Sequence, residues 1–150
     1  MTTGNPPLAG FHFSVSFSGL EPADIDSRFS EVFGLSAEME TLKLKEGGEN
    51  RFTHELPVKT SFPHLVLKRA VFPVDSKVIE WAEEALFNFS FRPLEVQVKL
   101  LNDQHSPVKG WNFKGVFPVK IEYSALNAQD NKLLIETLEL AYQFARPLNT

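Results

Sequence analysis

The chain has 150 residues, 43% of them hydrophobic, which is the size of one domain able to bury a core. Its 15 basic and 19 acidic side chains leave a net charge of -4, and Lys and Arg are scattered, which argues against a nucleic-acid partner. The absence of cysteine excludes disulfides, thiolate zinc sites and cysteine nucleophiles together.

Met1 to Gly10 carry no basic cluster followed by an apolar run, and no segment is long enough to span a bilayer. The expectation is synthesis in the cytoplasm without a signal peptide, and no stable membrane anchoring. Small polar residues and two prolines between Thr2 and Pro7 favour an extended N-terminal arm over residues 1–10. From Phe11 to Ser18 apolar and polar residues alternate, Phe11, Phe13, Val15 and Phe17 against His12, Ser14, Ser16 and Ser18, which predicts a half-buried strand. Asp24 and Asp26 then read as solvated charges.

Between Lys45 and Thr60 a Gly47-Gly48 turn is flanked by residues polar on both faces of any extended ribbon. Such a hairpin gains little from its own domain. It is either a surface loop or an arm that orders against a neighbour. A helix is predicted at about residues 75–89, capped by Asp75, with Val78, Ile79, Trp81, Ala82, Ala85, Leu86 and Phe89 on one face and Lys77, Glu80, Glu83, Glu84 and Asn88 opposite. Phe87 falls in the middle of the polar face and is a candidate subunit or sheath contact.

The period of two returns at Leu94, Val96, Val98 and Leu100, and again from Trp111 through Phe113 and Gly115 to Phe117. Pro118 inside that run marks an edge position or a bulge, because it has no amide hydrogen to donate. Asn131 to Arg146 has high helix propensity, yet Leu138, Leu140, Tyr142 and Phe144 also alternate as a strand. Both readings stay open locally. With no repeat or linker, residues 1–150 form one mainly β domain, an antiparallel sandwich or barrel with one flanking helix.

No constellation for chemistry emerges. His12, His54, His64 and His105 are dispersed, Glu83 and Glu84 sit on the solvent side of the helix, and neither a phosphate loop nor a Gly-x-Ser-x-Gly element is present. No catalytic, cofactor-binding or metal-binding residue is therefore predicted, and assembly or binding is the expected role. The 14 phenylalanines allow an alternative, a small barrel carrying an apolar ligand.

Six segments together resemble the tube proteins of contractile phage tails: Phe11-His12-Phe13-Ser14-Val15, "EVFGLSAEME" at Glu31 to Glu40, "EGGENRFTHELP" at Glu46 to Pro57, "LVLKRAVF" at Leu65 to Phe72, "WNFKGVFPVK" at Trp111 to Lys120 and "IETLELAYQF" at Ile135 to Phe144. The chain departs from that family at Phe33, where serine is usual, and at Ala70, where glycine is usual.

The resemblance implies a two-sheet β-barrel with a flanking helix and a long hairpin arm over about residues 45–60. It also implies homo-hexameric rings stacked into a hollow tube inside a contracting sheath, with payload in the lumen. It turns the C-terminal segment toward strand. It makes Lys45, Glu46, Gly47, Gly48, Glu49, Asn50, Arg51, Phe52, Thr53, His54 and Glu55 the contact to an adjacent tube or baseplate ring. The "ENRFTHELP" form is similar to tube-like proteins of extracellular injection particles, either repeated tube subunits or the initiator that joins baseplate to tube, and leans toward the initiator.

Overall fold

The computed structural model describes residues 10–21, 24–45, 53–71, 73–124 and 134–148, without the side chains of Asp24, Ile25, Lys45 and Thr53. The N-terminal arm over residues 1–9 and the Gly47-Gly48 turn lie outside these residues. Strand β1 (His12–Ser18) forms as the alternation predicts, with Val15 and Phe17 buried. After a short 3-10 turn at Asp24–Ser27 come β2 (Glu31–Phe33), β3 (Glu38–Lys45), β4 (Thr53–Ser61) and β5 (Leu65–Ala70). Helix α1 (Lys77–Asn88) precedes β6 (Leu94–Leu101), β7 (Pro107–Tyr123), β8 (Ile135–Ala141) and β9 (Phe144–Leu148).

All pairings are antiparallel, in the order β1-β6-β7-β8-β5-β2, with β9 also on β7 and with β3-β4 as a separate ribbon. The long strand β7 serves both layers of a sandwich. Its first half pairs with β6 and β9, and its second half pairs with β8.

The bend that permits this sits at Gly115, whose φ of 66° suits a residue without Cβ. Leu94 and Val96 of β6 oppose Val116 and Phe113, so β7 carries one extra residue there. That bulge reverses the facing of β7. The expected single face of Trp111, Phe113, Gly115 and Phe117 ends at Gly115, and burial passes to Val116 and Pro118. A second register shift falls between Pro118 and Lys120, where the proline marks the predicted bulge and is itself fully buried.

The C-terminal segment is strand. Leu138 and Leu140 bury their side chains at 1% exposure or less while β8 pairs with both β5 and β7. Tertiary pairing overrides helix propensity here.

Three expectations are corrected. Among the described residues β1 and β2 end the pairing order without pairing with one another, so the sandwich is not a closed barrel. Helix α1 starts at Lys77 with Ser76 as its N-cap, and not with Asp75, because the Ser76 hydroxyl accepts from the Ile79 amide at 3.2 Å. Phe89 leaves the buried helix face altogether, since it is the left-handed C-cap and is 84% exposed.

The space between the layers is filled. Val15, Leu65, Leu67, Val96, Val98, Phe113 and Val116 are at 1% exposure or less, and Trp81 seals the helix side against Phe17 at 6.2 Å between ring centres. These described core side chains pack on one another at native density.

Candidate functional site

Three features of the molecule stand out beside its apolar core, a buried ionic cluster and two exposed apolar surfaces. The first is the ionic cluster. Arg69 on β5 donates from Nε to Glu136 on β8 at 2.9 Å, places Nη1 3.7 Å from Asp26, and donates from Nη2 to Ser76 at 3.0 Å. Ser76 Oγ in turn donates to Asp26, whose second oxygen accepts from the Lys77 amide at 3.0 Å.

Asp26 is 6% exposed, which corrects its reading as a solvated charge. It was hidden in the sequence because its cation lies far along the chain at Arg69. The acidic group at the helix start also faces the positive end of the helix dipole. Burial, with the Glu136 carboxylate beside it, pushes the Tyr123 phenol above its ordinary value. These contacts tie the 3-10 turn, β5, β8 and α1 together.

The second feature is the hairpin of β3 and β4. It begins at Glu38 and not at Lys45, and it runs to Ser61. Of the predicted contact residues, Glu46, Gly47, Gly48, Glu49, Asn50, Arg51 and Phe52 lie outside the described residues. Lys45 pairs with Thr53, Leu44 with His54 and Lys43 with Glu55.

The hairpin is also not polar on both faces. Leu42 opposes Leu56, and Leu44 follows on the same face, so three leucines form one patch, each about half exposed. The expectation missed Leu42 and Leu44 because its window opened at Lys45, the last residue of the Leu-Lys-Leu-Lys alternation, and it passed over Leu56 inside that window. Among the described elements the two strands pack extensively only on each other. An isolated two-stranded ribbon is marginal in water.

Its base, by contrast, is clamped. The Tyr142 hydroxyl donates to the Pro63 carbonyl at 2.6 Å, burial raises that phenol so it remains protonated, and Phe62 packs on the Tyr142 ring at 6.2 Å. His64 Nδ1 lies 2.7 Å from Glu139. Gly34, with φ of 95°, passes so close to the His64 carbonyl that a Cβ there would stand 2.1 Å from its oxygen. These contacts anchor the base of the arm to β8 and Tyr142.

The third feature lies on α1. Phe87 is 79% exposed, Phe89 84% and Phe91 41%, and Phe89 meets Phe91 edge to face at 4.9 Å. Only Phe87 was singled out by helical phasing. Phe89 was assigned to the buried face and Phe91 to none, because the helix ends at Asn88, after which a period of 3.6 carries no information.

Among the described residues no group of three or more His, Asp or Glu side chains could hold a metal ion, and no helix is long and apolar enough to cross a membrane. The ordered core and the hairpin that packs mainly on itself define a β-sandwich protein with a projecting two-stranded ribbon.

The family model of the T4-like virus tail tube protein gp19 matches residues 9–146, and the chain belongs to that family of tail tube proteins. Among solved structures it is similar to a chain of the six-fold symmetrised baseplate of the anti-feeding prophage, with a TM-score of 0.83, 31% identity and 97% of each chain covered. It shares its fold with a chain of an extracellular contractile injection system in its extended sheath-tube complex, at a TM-score of 0.77 and 20% identity over 96% of this chain and 93% of the other. Hcp1 from Salmonella typhimurium has the same fold at a TM-score of 0.53 and 12% identity, with 93% and 86% covered. Among curated protein sequences nothing matches.

Proposed function

We propose that this tail tube protein forms homo-hexameric rings that stack with adjacent tube or baseplate rings, inside a sheath, in a contractile injection particle. The observation that carries the reading is the clamped arm of β3 and β4, whose exposed leucines find no cover among the described residues. Stacked rings supply that cover, and closed rings remove the hazard of free strand edges at β1 and β2.

The work done is mechanical: the rigid tube is driven outward and its lumen carries payload. The role is structural and not enzymatic, a reading that membership of the tail tube family supports. Its place is next to the baseplate, as an initiator ring. The 31% identity to a baseplate chain, against 20% to the sheath-tube chain, supports that position. Synthesis is cytoplasmic, and the assembled particle is released outside the cell, as the extracellular neighbour's description suggests.

The test is an arm replacement. Exchanging Glu49 through Glu55 for a short Gly-Ser linker leaves folded, soluble protein that no longer builds onto a neighbouring ring. Amides of Glu38–Lys45 and Thr53–Ser61 exchange fast in isolated protein and become protected in particles. Wild-type assembly by the linker variant, or equal protection in both states, refutes the arm's role.

A further inference from the structure

Two imidazoles that lie far apart in the sequence meet at one end of the sandwich. His12 opens β1, opposite Leu101 at the end of β6. His105 sits in the turn between β6 and β7, and its ring stacks on that of His12 with 5.3 Å between centres and 28° between planes. Both side chains are exposed.

The turn is built without help from the stack. The Asn102 side-chain oxygen accepts from the amides of Gln104 and Ser106 at 2.9 and 3.0 Å. The Asn102 amide donates to the Ser106 carbonyl at 2.9 Å, and the Asn102 carbonyl accepts from the His105 amide at 2.9 Å. These bonds hold His105 at a φ of 61°, in the left-handed region where glycine fits without strain. Two exposed rings keep little water from one another, so packing does not account for a histidine in that place.

The separation of the rings has a chemical reading. An imidazole nitrogen binds a zinc ion at about 2.0–2.1 Å and the ring centre lies roughly 1 Å further along the same line, so two rings at the tetrahedral angle stand about 5 Å apart. His12 and His105 are already at that spacing. Their present planes are no obstacle, because a histidine ring turns softly about its Cβ–Cγ bond. That rotation redirects the nitrogens, while the ring centre, close to the line of the bond, hardly moves.

Charges nearby are mixed. Asp103 belongs to the same turn, and a Cβ on Gly10, two residues before His12, would stand 3.9 Å from its Cβ. Lys99 of β6 is paired with Ser14, the next residue of β1 on the face of His12. Recognition therefore rests on the two nitrogens and not on a net field.

The geometry points to a surface site for one divalent late transition ion, zinc or copper, chelated by His12 and His105. Imidazole suits these ions, whereas magnesium and calcium take oxygen ligands. Among the described residues no group of three His, Asp or Glu side chains forms a closed site, so water fills the remaining positions. The bound ion ties the start of β1 to the β6-β7 turn within one chain, and the site stands apart from the ring reading.

The test is a calorimetric titration of zinc sulfate, and separately copper(II) sulfate, into untagged, isolated full-length protein, with NMR of the histidine rings in the zinc arm. One equivalent binds, the His12 and His105 resonances shift, and those of His54 and His64 do not. His12→Asn and His105→Asn each weaken binding at least tenfold. The double variant is no more than twofold weaker than either, because a chelate needs both rings. His105→Gly separates ligation from folding: it keeps or raises the metal-free melting temperature at the strained φ, yet loses binding as His105→Asn does. No saturable binding of either ion overturns the site. So do two weak sites lost one at a time, ring shifts at His54 or His64 in place of the pair, or undiminished binding by His105→Gly.

Discussion

Arg69→Met isolates the buried cluster, because methionine keeps much of the side chain's volume and removes only its charge and donors. In the native chain Arg69 is 4% exposed and answers two carboxylates, Glu136 at 2.9 Å and Asp26 at 3.7 Å, while its guanidinium also lies over the Phe29 ring at 4.8 Å. At an effective dielectric of about 20, each ion pair at such distances carries roughly 5 kcal/mol of gross attraction, most of it offset by desolvation.

The substitution therefore does not simply forfeit a modest net gain. It leaves Asp26 and Glu136 buried without their cation, and removing one partner of a buried pair costs about 3–5 kcal/mol. Against a total stability of about 5–15 kcal/mol this is a large share, and it lowers the melting temperature by roughly 10–15 °C for a chain of this length.

Urea titration and thermal melts of the isolated protein measure the effect directly. The companion variant Arg69→Met with Asp26→Asn and Glu136→Gln recovers more than half of the loss, since neutral side chains no longer need the cation. A loss below about 1 kcal/mol for Arg69→Met, within the range of surface substitutions and weak pairs, refutes the role assigned to this cluster. So does a triple variant less stable than the single one.

The helix start gives a second test: Ser76→Ala costs about 1–2 kcal/mol in urea titration through loss of its bond to the Ile79 amide, whereas Asp75→Ala stays within about 0.5 kcal/mol. Equal effects would return the cap to Asp75. At the base of the arm, Gly34→Ala meets both a φ of 95° and the His64 carbonyl at 2.1 Å, and costs at least about 2 kcal/mol. Hydrogen exchange at Phe62 to Leu65 should rise with it, and an unchanged pattern would show that the clamp is not needed.

How much of this was legible in the chain depends on how far apart the deciding residues lie. Strand β1 and the buried side of α1 at Val78, Trp81, Ala82 and Ala85 follow from local periodicity, because a period of two or of 3.6 places neighbours on one face whatever else the chain does. The tail tube family was legible too, from six spaced segments and not from any one of them.

Periodicity failed where the backbone changes its own rule. The bulge at Gly115 reverses the facing of β7, and the left-handed turn at Phe89 throws a residue out of the face assigned to it. The Asp26, Arg69 and Glu136 cluster joins residues up to 110 positions apart, because burial of a charge is decided by which strands pair and by nothing nearby in sequence. The arm's leucine face likewise appears only once β3 and β4 are in register, since Leu42 and Leu56 are apolar neighbours in space and not along the chain. Local chemistry determined the elements and the family they signal. Tertiary pairing decided which charges are buried and which apolar surfaces are left uncovered, because each depends on contacts that no short window contains.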